Sequence, residues 1–228
     1  MSASIAIICG MRTEAALLPR GIEFVCTGGR ANDALDEARR LLAGGAAGLL
    51  SFGIAGGLDP TLRTGALVIG TTVAVSEGKL AADAAWAARL AAALPEAKAG
   101  VIAGVAQPVA YPLEKAALFR NWQALVVDME SGAVARACAE AGKPFAVIRA
   151  VADPAARTIP RAALNGLTPS GRMNPVAAVR GVIERPSELP GLMKLAVQTR
   201  AALRTLADAT RRLGPTLGFE TLTTLVDE

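Results

Sequence analysis

Short apolar runs alternate with Ala- and Arg-rich helical stretches from residue 4 to residue 151, and this alternation constrains the fold most. Strands that are hydrophobic on both faces and separated by helices are typical of a parallel sheet covered on both sides. We therefore predict an α/β fold: a single-domain, mostly parallel mixed sheet flanked by helices on both faces. The predicted strands are Ser4–Cys9, Ile22–Cys26, Ala47–Phe52, Leu67–Val75, Gly100–Val105, Leu125–Val127 and Phe145–Val151, and the predicted helices are Asn32–Ala43 (with Asn32 as N-cap), Ala82–Leu94, Leu113–Trp122, Glu130–Ala141 and Leu192–Leu213.

The ligand site of such a sheet lies where the carboxyl ends of its strands converge with loops and helix N-termini. In this chain those places are Met11–Glu14, Gly28–Asn32, Phe52–Gly57, Val127–Glu130 and Ala150–Asp153. The sequence contains no internal repeat and no low-complexity linker, so we predict one domain over residues 1–228, with a Pro- and Arg-rich lid at 157–195 and a C-terminal helix at 192–213.

The absence of histidine removes several function classes at once. A Ser-His-Asp triad, a Cys-His pair, a histidine base and a histidine metal site all require that side chain. Acid–base chemistry must then come from Asp, Glu, Lys, Tyr or Cys. Apolar residues make up 52% of the chain and aromatic residues 4%, which excludes a disordered chain and argues against a single-stranded nucleic-acid platform.

Basic charge is concentrated near the C-terminus. Ten basic residues lie between Arg157 and Arg212, against Glu184, Glu188 and Asp208. Such a segment suits an anionic partner such as phosphate, nucleic acid or a membrane surface, and it is also typical of a solvated arginine-rich surface. We predict no nucleic-acid partner.

The cysteines and the N-terminus bear on the compartment. Cys9, Cys26 and Cys138 form no C-x-x-C pair, so we expect small buried hydrophobes rather than a disulfide framework or a zinc site. The run from Met1 to Glu14 lacks the features of a signal peptide. The uncharged run Leu41–Leu58 is rich in glycine and fits a strand with a Gly-rich turn better than a membrane span. We therefore expect a cytoplasmic protein.

Two Gly-rich segments follow predicted strands. Ser51–Pro60 (SFGIAGGLDP) has the spacing G-x-x-G-G rather than the G-x-G-x-x-G of dinucleotide-binding folds, which disfavours an oxidoreductase. Thr27–Asp33 (TGGRAND) leads into a helix and could cradle an anion. Each segment alone is equally consistent with ordinary loop geometry.

Carboxyl groups follow three of the predicted strands. Asp128 and Glu130 end one strand at a helix entry, where acidic residues often serve only as caps. Asp153 ends a nearly continuous apolar strand, where partial desolvation raises a carboxyl pKa and suits it to proton donation. Glu14, taken alone, looks like an exposed helix carboxylate.

Three motifs resemble one family in order and spacing. GIAGGLDPTLRTGALVIG, VDMESGAVARAC and IRAVADPA are similar to signatures of the nucleoside phosphorylase and nucleosidase superfamily, nearest to its methylthioadenosine/S-adenosylhomocysteine nucleosidase branch. The resemblance runs from Ile5 to about Ala155. Among subgroups, the histidine-free, Arg-rich sequence with its Pro-rich tail resembles the hopanoid-associated nucleosidase/phosphorylase, which is proposed to remove adenine from adenosylhopane.

The resemblance implies a role for each matching residue in cleaving a purine N-glycosidic bond. Asp153 would protonate N7 of the leaving purine, and Glu14 would activate the attacking water. The resemblance also implies a set of residues that bind the ribose and the base: Glu130, Met129, Asp128, Gly56 and Gly57. Arg149 would support the end of the strand beside them. The resemblance further implies a homodimer, no cofactor and no metal.

The chain departs from the family pattern at several positions. Ile54 and Ala152 stand where the nucleosidases carry serine, and Asp128 stands where they carry glutamate. The stretch Gly104–Pro112 has no clear counterpart of the phenylalanine that stacks on adenine. These departures leave open a catalytically silent nucleoside- or lipid-binding protein.

Hydrolysis and phosphorolysis are the two reactions that the family performs. Phosphorylases of this fold direct arginines at phosphate, which would be a co-substrate, and Ser51 occupies one such place here. Arg12 and Arg30 remain candidate phosphate ligands, whereas Glu14 would repel phosphate and suits water. We favour hydrolysis, and we expect residues 157–195 to line the path of an apolar 5′-substituent and to bring the protein to the inner face of the membrane.

Overall fold

The computed structural model describes residues 4–164 and 185–220. Its strands are β1 (Ala6–Cys9), β2 (Glu23–Cys26), β3 (Leu49–Gly57), β4 (Leu67–Val75), β5 (Gly78–Ala81), β6 (Lys98–Gly104), β7 (Ala124–Asp128) and β8 (Phe145–Asp153). Its helices are α1 (Arg12–Ala15), α2 (Ala31–Ala43), α3 (Ala84–Ala93), α4 (Pro112–Trp122), α5 (Ser131–Ala141), α6 (Arg161–Leu164) and α7 (Leu189–Leu213), with a 3₁₀ turn at Pro186–Glu188.

The strands form one mixed sheet in the order β2-β1-β3-β7-β6-β4-β5, and β8 pairs with both β3 and β4. The ladders β1–β2, β1–β3, β3–β8, β4–β6 and β6–β7 are parallel. The ladders β3–β7, β4–β5 and β4–β8 are antiparallel. The pairing closes β3, β8, β4, β6 and β7 into a ring, and the prediction of a mostly parallel mixed sheet is confirmed.

Helices cover both faces of this sheet, as the apolar strands predict. Ile8 in β1 packs in one hydrophobic cluster with residues of α2 and α5, including Leu41 and Val134. Its neighbour Ile7 packs on the other face with α3 and α7, near Trp86 and Leu206. Successive residues of a strand point to opposite faces, so β1 has to be apolar throughout.

Two boundary predictions differ from the structure because of glycine and proline. We expected β3 to end at Phe52 in a Gly-rich turn, but the strand continues to Gly57, because β8 and β7 pair with these glycines. We expected the last helix to begin at Leu192, but α7 begins at Leu189 and carries Pro190 in its first turn, where proline fits.

Two further predictions were also wrong in detail. Arg30, not Asn32, is the N-cap of α2, and Asn32 lies within the helix. The short strand β5 was not predicted, since Gly78–Ala81 has only half-buried or exposed residues and no apolar signal. No helix of the described residues is long and apolar enough to cross a membrane.

The cysteines are free thiols. Cys9 and Cys138 are buried, as we expected, whereas Cys26 is only half-buried. The sulfur atoms of Cys9 and Cys26 lie 3.6 Å apart on paired strands.

Candidate active site

Glu14 is buried at the end of β1, with 2% of its surface exposed. It is the third residue of α1, and its Oε2 accepts the backbone N–H of Met11 at 2.8 Å. Its Oε1 accepts the N–H of Ile54 in β3, also at 2.8 Å. Burial raises the pKa of Glu14, and the bond from Ile54 and the charge of Arg149 oppose that rise. The interpretation of Glu14, taken alone, as an exposed helix carboxylate is therefore wrong.

Glu130 faces Glu14 across Gly10. Glu130 is 5% exposed and lies between β7 and α5. A Cβ atom at Gly10 would lie 2.8 Å from Oε1 of Glu130 and 3.7 Å from Oε2 of Glu14. Two carboxylates can approach each other here because Gly10 has no side chain.

Arg149 of β8 is completely buried and anchors the acidic residues. Its Nε donates to Oδ2 of Asp128 at 2.6 Å, and its Nη2 donates to Oγ of Ser51 at 2.6 Å. The same Nη2 lies 3.5 Å from Oε2 of Glu130. Asp128 also accepts the N–H of Glu130 at 3.1 Å and that of Ser131 at 2.8 Å, and Ser131 Oγ donates to its Oδ2. A buried charge needs such partners.

The remaining nitrogen of Arg149, Nη1, is buried without a hydrogen-bond partner among the described residues. A Cβ atom at Gly53 would lie 2.6 Å from this nitrogen and 2.6 Å from Oε1 of Glu14. An unpartnered donor and a carboxylate oxygen thus lie on either side of one glycine. A small polar molecule could bind both.

Asp153 ends β8 and is 6% exposed. Its Oδ2 contacts Nζ of Lys115 at 2.5 Å. A Cβ atom at Gly56 would lie 3.2 Å from the same oxygen, so this glycine of β3 leaves room for the carboxyl group. Burial raises the pKa of Asp153, and the ammonium of Lys115 opposes that rise.

β3 connects the two ends of the site. A Cβ atom at Gly53 would point toward Glu14 and Arg149, and a Cβ atom at Gly56 would point toward Asp153. The β3–β8 register shifts between Ala55 and Gly56. Three strand residues span about 10 Å. The carboxylate pair and the strand-end carboxyl group therefore lie along one edge of the sheet, as predicted.

The other predicted residues occupy varied places. Met129 is half-buried, and its Sδ lies 3.9 Å from the position of a Cβ at Gly29. Gly57 faces Val151 and the turn after β8 rather than a carboxylate. Arg12 is exposed on α1, and Arg30 is exposed and pairs with Asp33. In the described part of the chain, neither arginine has an ion pair with Glu14, Glu130 or Asp153.

Lys115 and Ser131 belong to this arrangement and were not predicted. Lys115 follows Glu114 in a helix of mixed composition, where a lysine is normally exposed, and no sequence signal marks its burial. Ser131 lies in the VDMES motif, so its position next to Asp128 offered a signal. Among the described residues, no group of three or more Cys, Asp or Glu side chains is arranged to hold a metal ion.

Burial has a measurable consequence at Glu130. It raises the pKa of this carboxyl from 4.5 to about 7; Arg149 opposes the rise, and Asp128 and Glu14 add to it. Between these two values the folded protein keeps a proton that the unfolded chain releases, so stability falls as pH rises. We expect Glu130→Gln to weaken this fall of stability with rising pH. The raised pKa of Glu14 acts in the same direction, so part of the fall remains. Thermal unfolding from about pH 5 to about pH 7.5 tests this; parallel curves for the two proteins would contradict it.

Comparison with known proteins agrees with the sequence motifs. The family model described as the phosphorylase superfamily matches residues 24–166. A sequence search of curated proteins found no match. Glu14 lies outside the matched range.

Solved structures with the same fold cover almost the whole chain. A Francisella philomiragia protein assigned as a 5′-methylthioadenosine/S-adenosylhomocysteine nucleosidase has a TM-score of 0.70 at 17% identity, over 92% of this chain and 98% of that one. A mutant futalosine hydrolase of Helicobacter pylori has a TM-score of 0.69 at 18% identity, over 92% and 97%.

A third structure carries a nucleoside. It is a mutant of the Helicobacter pylori 5′-methylthioadenosine/S-adenosylhomocysteine nucleosidase with 5′-methylthioadenosine in its active site, and it has a TM-score of 0.66 at 19% identity, over 93% of this chain and 100% of that one. The match of the family model, over more than half of the chain, identifies the protein as a member of the phosphorylase superfamily.

Proposed function

We propose that this protein hydrolyses the N-glycosidic bond of an adenine nucleoside. The observation that carries the proposal is the pair of buried carboxylates, Glu14 and Glu130, facing each other across Gly10, with Asp153 further along the same edge of the sheet. Glycoside cleavage needs groups that activate a nucleophile, stabilise a cationic sugar and protonate the leaving group. The solved structures with this fold include nucleosidases and a hydrolase.

Glu14 is the base for the attacking water in this proposal. Its raised pKa suits a carboxylate that has to accept a proton. The unpartnered Nη1 of Arg149 lies beside Oε1 of Glu14, so a water molecule between them would donate to the carboxylate and accept from the guanidinium. Water held this way is oriented before the reaction begins.

Glu130 binds the ribose hydroxyl groups in this proposal. Its carboxylate is buried, and its one side-chain hydrogen-bond partner among the described residues is Arg149, at a long 3.5 Å, so its oxygens retain capacity to accept hydrogen bonds. Positive charge develops on the ribose as the bond breaks, and a nearby carboxylate in a dry site stabilises that charge most in the transition state. Asp128, by contrast, has both oxygens engaged by Arg149, Ser131 and the N–H of Glu130, and it orients these groups.

Asp153 protonates the departing adenine at N7. Gly56 lets β3 lie close to this carboxyl group, since a Cβ atom there would lie 3.2 Å from its Oδ2. Protonation turns adenine into a neutral leaving group.

Water rather than phosphate is the nucleophile in this proposal. A phosphate dianion next to Glu14 and Glu130 would be repelled by each of these carboxyl groups that is ionised, and among the described residues Arg149 is the cation beside them. Arg12 and Arg30 remain candidate ligands for phosphate in the alternative, phosphorolysis. Adenine release from methylthioadenosine, measured with and without phosphate, separates these possibilities. Release without phosphate supports hydrolysis, phosphate-dependent release supports phosphorolysis, and no release from either methylthioadenosine or adenosylhopane supports a silent binding protein.

We propose further that the substrate carries a large apolar 5′-substituent, as adenosylhopane does, and that the reaction yields ribosylhopane and adenine in hopanoid biosynthesis. Three apolar side chains at four-residue spacing, Leu189, Met193 and Val197, are exposed on the first turns of α7. Leu113, at 85% exposure, and Tyr111 are exposed at the start of α4. An exposed apolar set of this kind is typical of a binding surface.

These apolar residues connect to the site through the segment that follows Asp153. A Cβ atom at Gly191 of α7 would lie 3.1 Å from Cγ of Pro160, and the N–H of Ala162 donates to Glu188 at 3.1 Å. The N–H of Ile159 donates to the carbonyl of Ala110, just before α4. Of the lid predicted at 157–195, residues 165–184 lie outside the described part of the chain.

We expect the double variant Met193→Glu, Val197→Glu to reduce kcat/KM for adenosylhopane by about 10-fold or more, since burying a charge against an apolar tail is unfavourable. It should leave kcat/KM for methylthioadenosine unchanged.

We also expect wild type to float with anionic liposomes at low salt and less at high salt. Equal loss with both nucleosides, together with no flotation, would contradict this part of the proposal.

We propose that the protein is a homodimer, as the family resemblance implies. The exposed apolar residues of α4 could also face a second copy. Sedimentation at micromolar concentration distinguishes a dimer from a 23.2 kDa monomer.

A further inference from the structure

Lys115 is completely buried, and the hydrogen bonds of its Nζ go to Asp153 and to the turn that follows it. Its Nζ lies 2.5 Å from Oδ2 of Asp153 and 3.2 Å from the carbonyl oxygen of the same residue. The carbonyl oxygens of Pro154 and Arg157 lie at 3.2 and 3.1 Å. An ammonium has three N–H donors, and four oxygens share them here. The ammonium group is therefore fully hydrogen-bonded by protein oxygens, without solvent.

This contact changes how Asp153 can act as an acid. A carboxyl group that accepts a hydrogen bond from an ammonium is ionised at rest, and an ionised carboxyl has no proton to give. Burial nevertheless raises the pKa of Asp153, with Lys115 opposing that rise. Nζ of Lys115 is in direct contact with Oδ2 of Asp153, so a proton on the ammonium has a short path to the carboxylate.

We infer that Lys115 supplies the proton that Asp153 delivers to the departing base. This inference rests on the function proposed above. Oδ2 of Asp153 takes a proton from Nζ of Lys115. As the N-glycosidic bond breaks and its electron pair enters the purine, the carboxyl group gives that proton to N7. The products of the step are neutral adenine, an Asp153 carboxylate and a neutral Lys115 amine. The amine has to regain a proton, ultimately from solvent, before the next turnover.

The groups around the pair leave no other proton donor on the described elements. From β3 and β7 the carboxyl group meets Gly56 and, beside it, Val127, which carry no charge. On α4, Glu114 is turned away and accepts the N–H groups of Ala110 and Tyr111 at 3.2 Å each. Arg157 follows in the turn, and its guanidinium cannot give up a proton in a protein.

The tests are Lys115→Met and Lys115→Arg, assayed with methylthioadenosine and with para-nitrophenyl riboside. The nitrophenolate leaves without a proton, so its release reports an intact site without the acid step. We expect both variants to lose adenine release by about 10²-fold near pH 8, while nitrophenolate release stays within about threefold. Arginine keeps the positive charge and the N–H donors, so Lys115→Arg would restore adenine release if Lys115 only positioned Asp153. Lys98→Met, which removes a similar 2.6 Å pair with Asp59, serves as the control.

The pH profile gives a second readout. Without the opposing ammonium, the pKa of Asp153 rises further, so Lys115→Met should regain adenine release in acid, where Asp153 carries its own proton, and lose it as pH rises. Equal loss on both substrates, rescue by Lys115→Arg, or an unchanged pH profile would overturn the inference. Failure of wild type to release adenine from any nucleoside would instead contradict the proposed function. Thermal unfolding of each variant reports folding independently.

Discussion

Asp153→Asn is expected to lower adenine release by about 10²- to 10⁴-fold, the usual effect of a missing general acid. An amide of the same size keeps the shape of the site but cannot pass a proton to N7. The variant should also lose the ion pair with Lys115, so its thermal unfolding has to be measured alongside its turnover. The measurement is adenine formation from methylthioadenosine at several pH values.

A matched control exists for this variant. Asp59 is also buried and also pairs with a lysine, at 2.6 Å from Lys98, but it has no contact with the carboxylate pair. Asp59→Asn should therefore change stability and leave turnover near that of wild type. Near-normal adenine release by Asp153→Asn would refute the role assigned to Asp153.

Glu14→Gln is expected to abolish hydrolysis, with a loss of about 10²-fold or more, because the amide cannot take a proton from water. The substitution also exchanges one oxygen that accepts from Met11 or Ile54 for an amide group that cannot accept. Some loss of stability is therefore expected in addition. The measurement is adenine release by the purified variant in phosphate-free buffer and in buffer with phosphate.

The control for this loss is Glu114→Gln. Glu114 occupies the same position in α4 that Glu14 occupies in α1, the third residue, with its carboxylate accepting backbone N–H groups at the helix start. Glutamine can also accept these N–H groups, so this variant should change stability little and leave hydrolysis running. If Glu14→Gln retains turnover that depends on phosphate, the enzyme is a phosphorylase and the role of Glu14 as a water base is wrong.

The edge of the sheet that holds the site could be predicted from the sequence. Buried apolar strands such as Phe145–Val151 indicate a parallel sheet, and the polar residues that follow such strands have to meet at one edge. Asp153, Glu130 and Glu14 all follow predicted strands, so the strand pattern alone places them at that edge. The motifs around Asp153 and Glu130 also predicted the family.

The environment of each carboxylate could not be predicted. Glu14 is buried because Ile54 in β3 donates to it, and that contact depends on β3 continuing through a glycine run that resembles a turn. Lys115 is buried because α4 packs against Asp153 and the turn that follows it. Lys115 and Asp153 are 38 residues apart in the sequence. Such contacts depend on how the strand ring closes, which local sequence patterns do not encode.

Isotopically labelled water tests the central claim most directly. Purified protein is incubated with methylthioadenosine in phosphate-free, oxygen-labelled water, and the mass of the released sugar is measured. Hydrolysis predicts free adenine and one labelled oxygen per sugar, with both products lost in Asp153→Asn and Glu14→Gln. Release of adenine only when phosphate is added, with an unlabelled sugar phosphate, or no release from this nucleoside and from adenosylhopane, would contradict it.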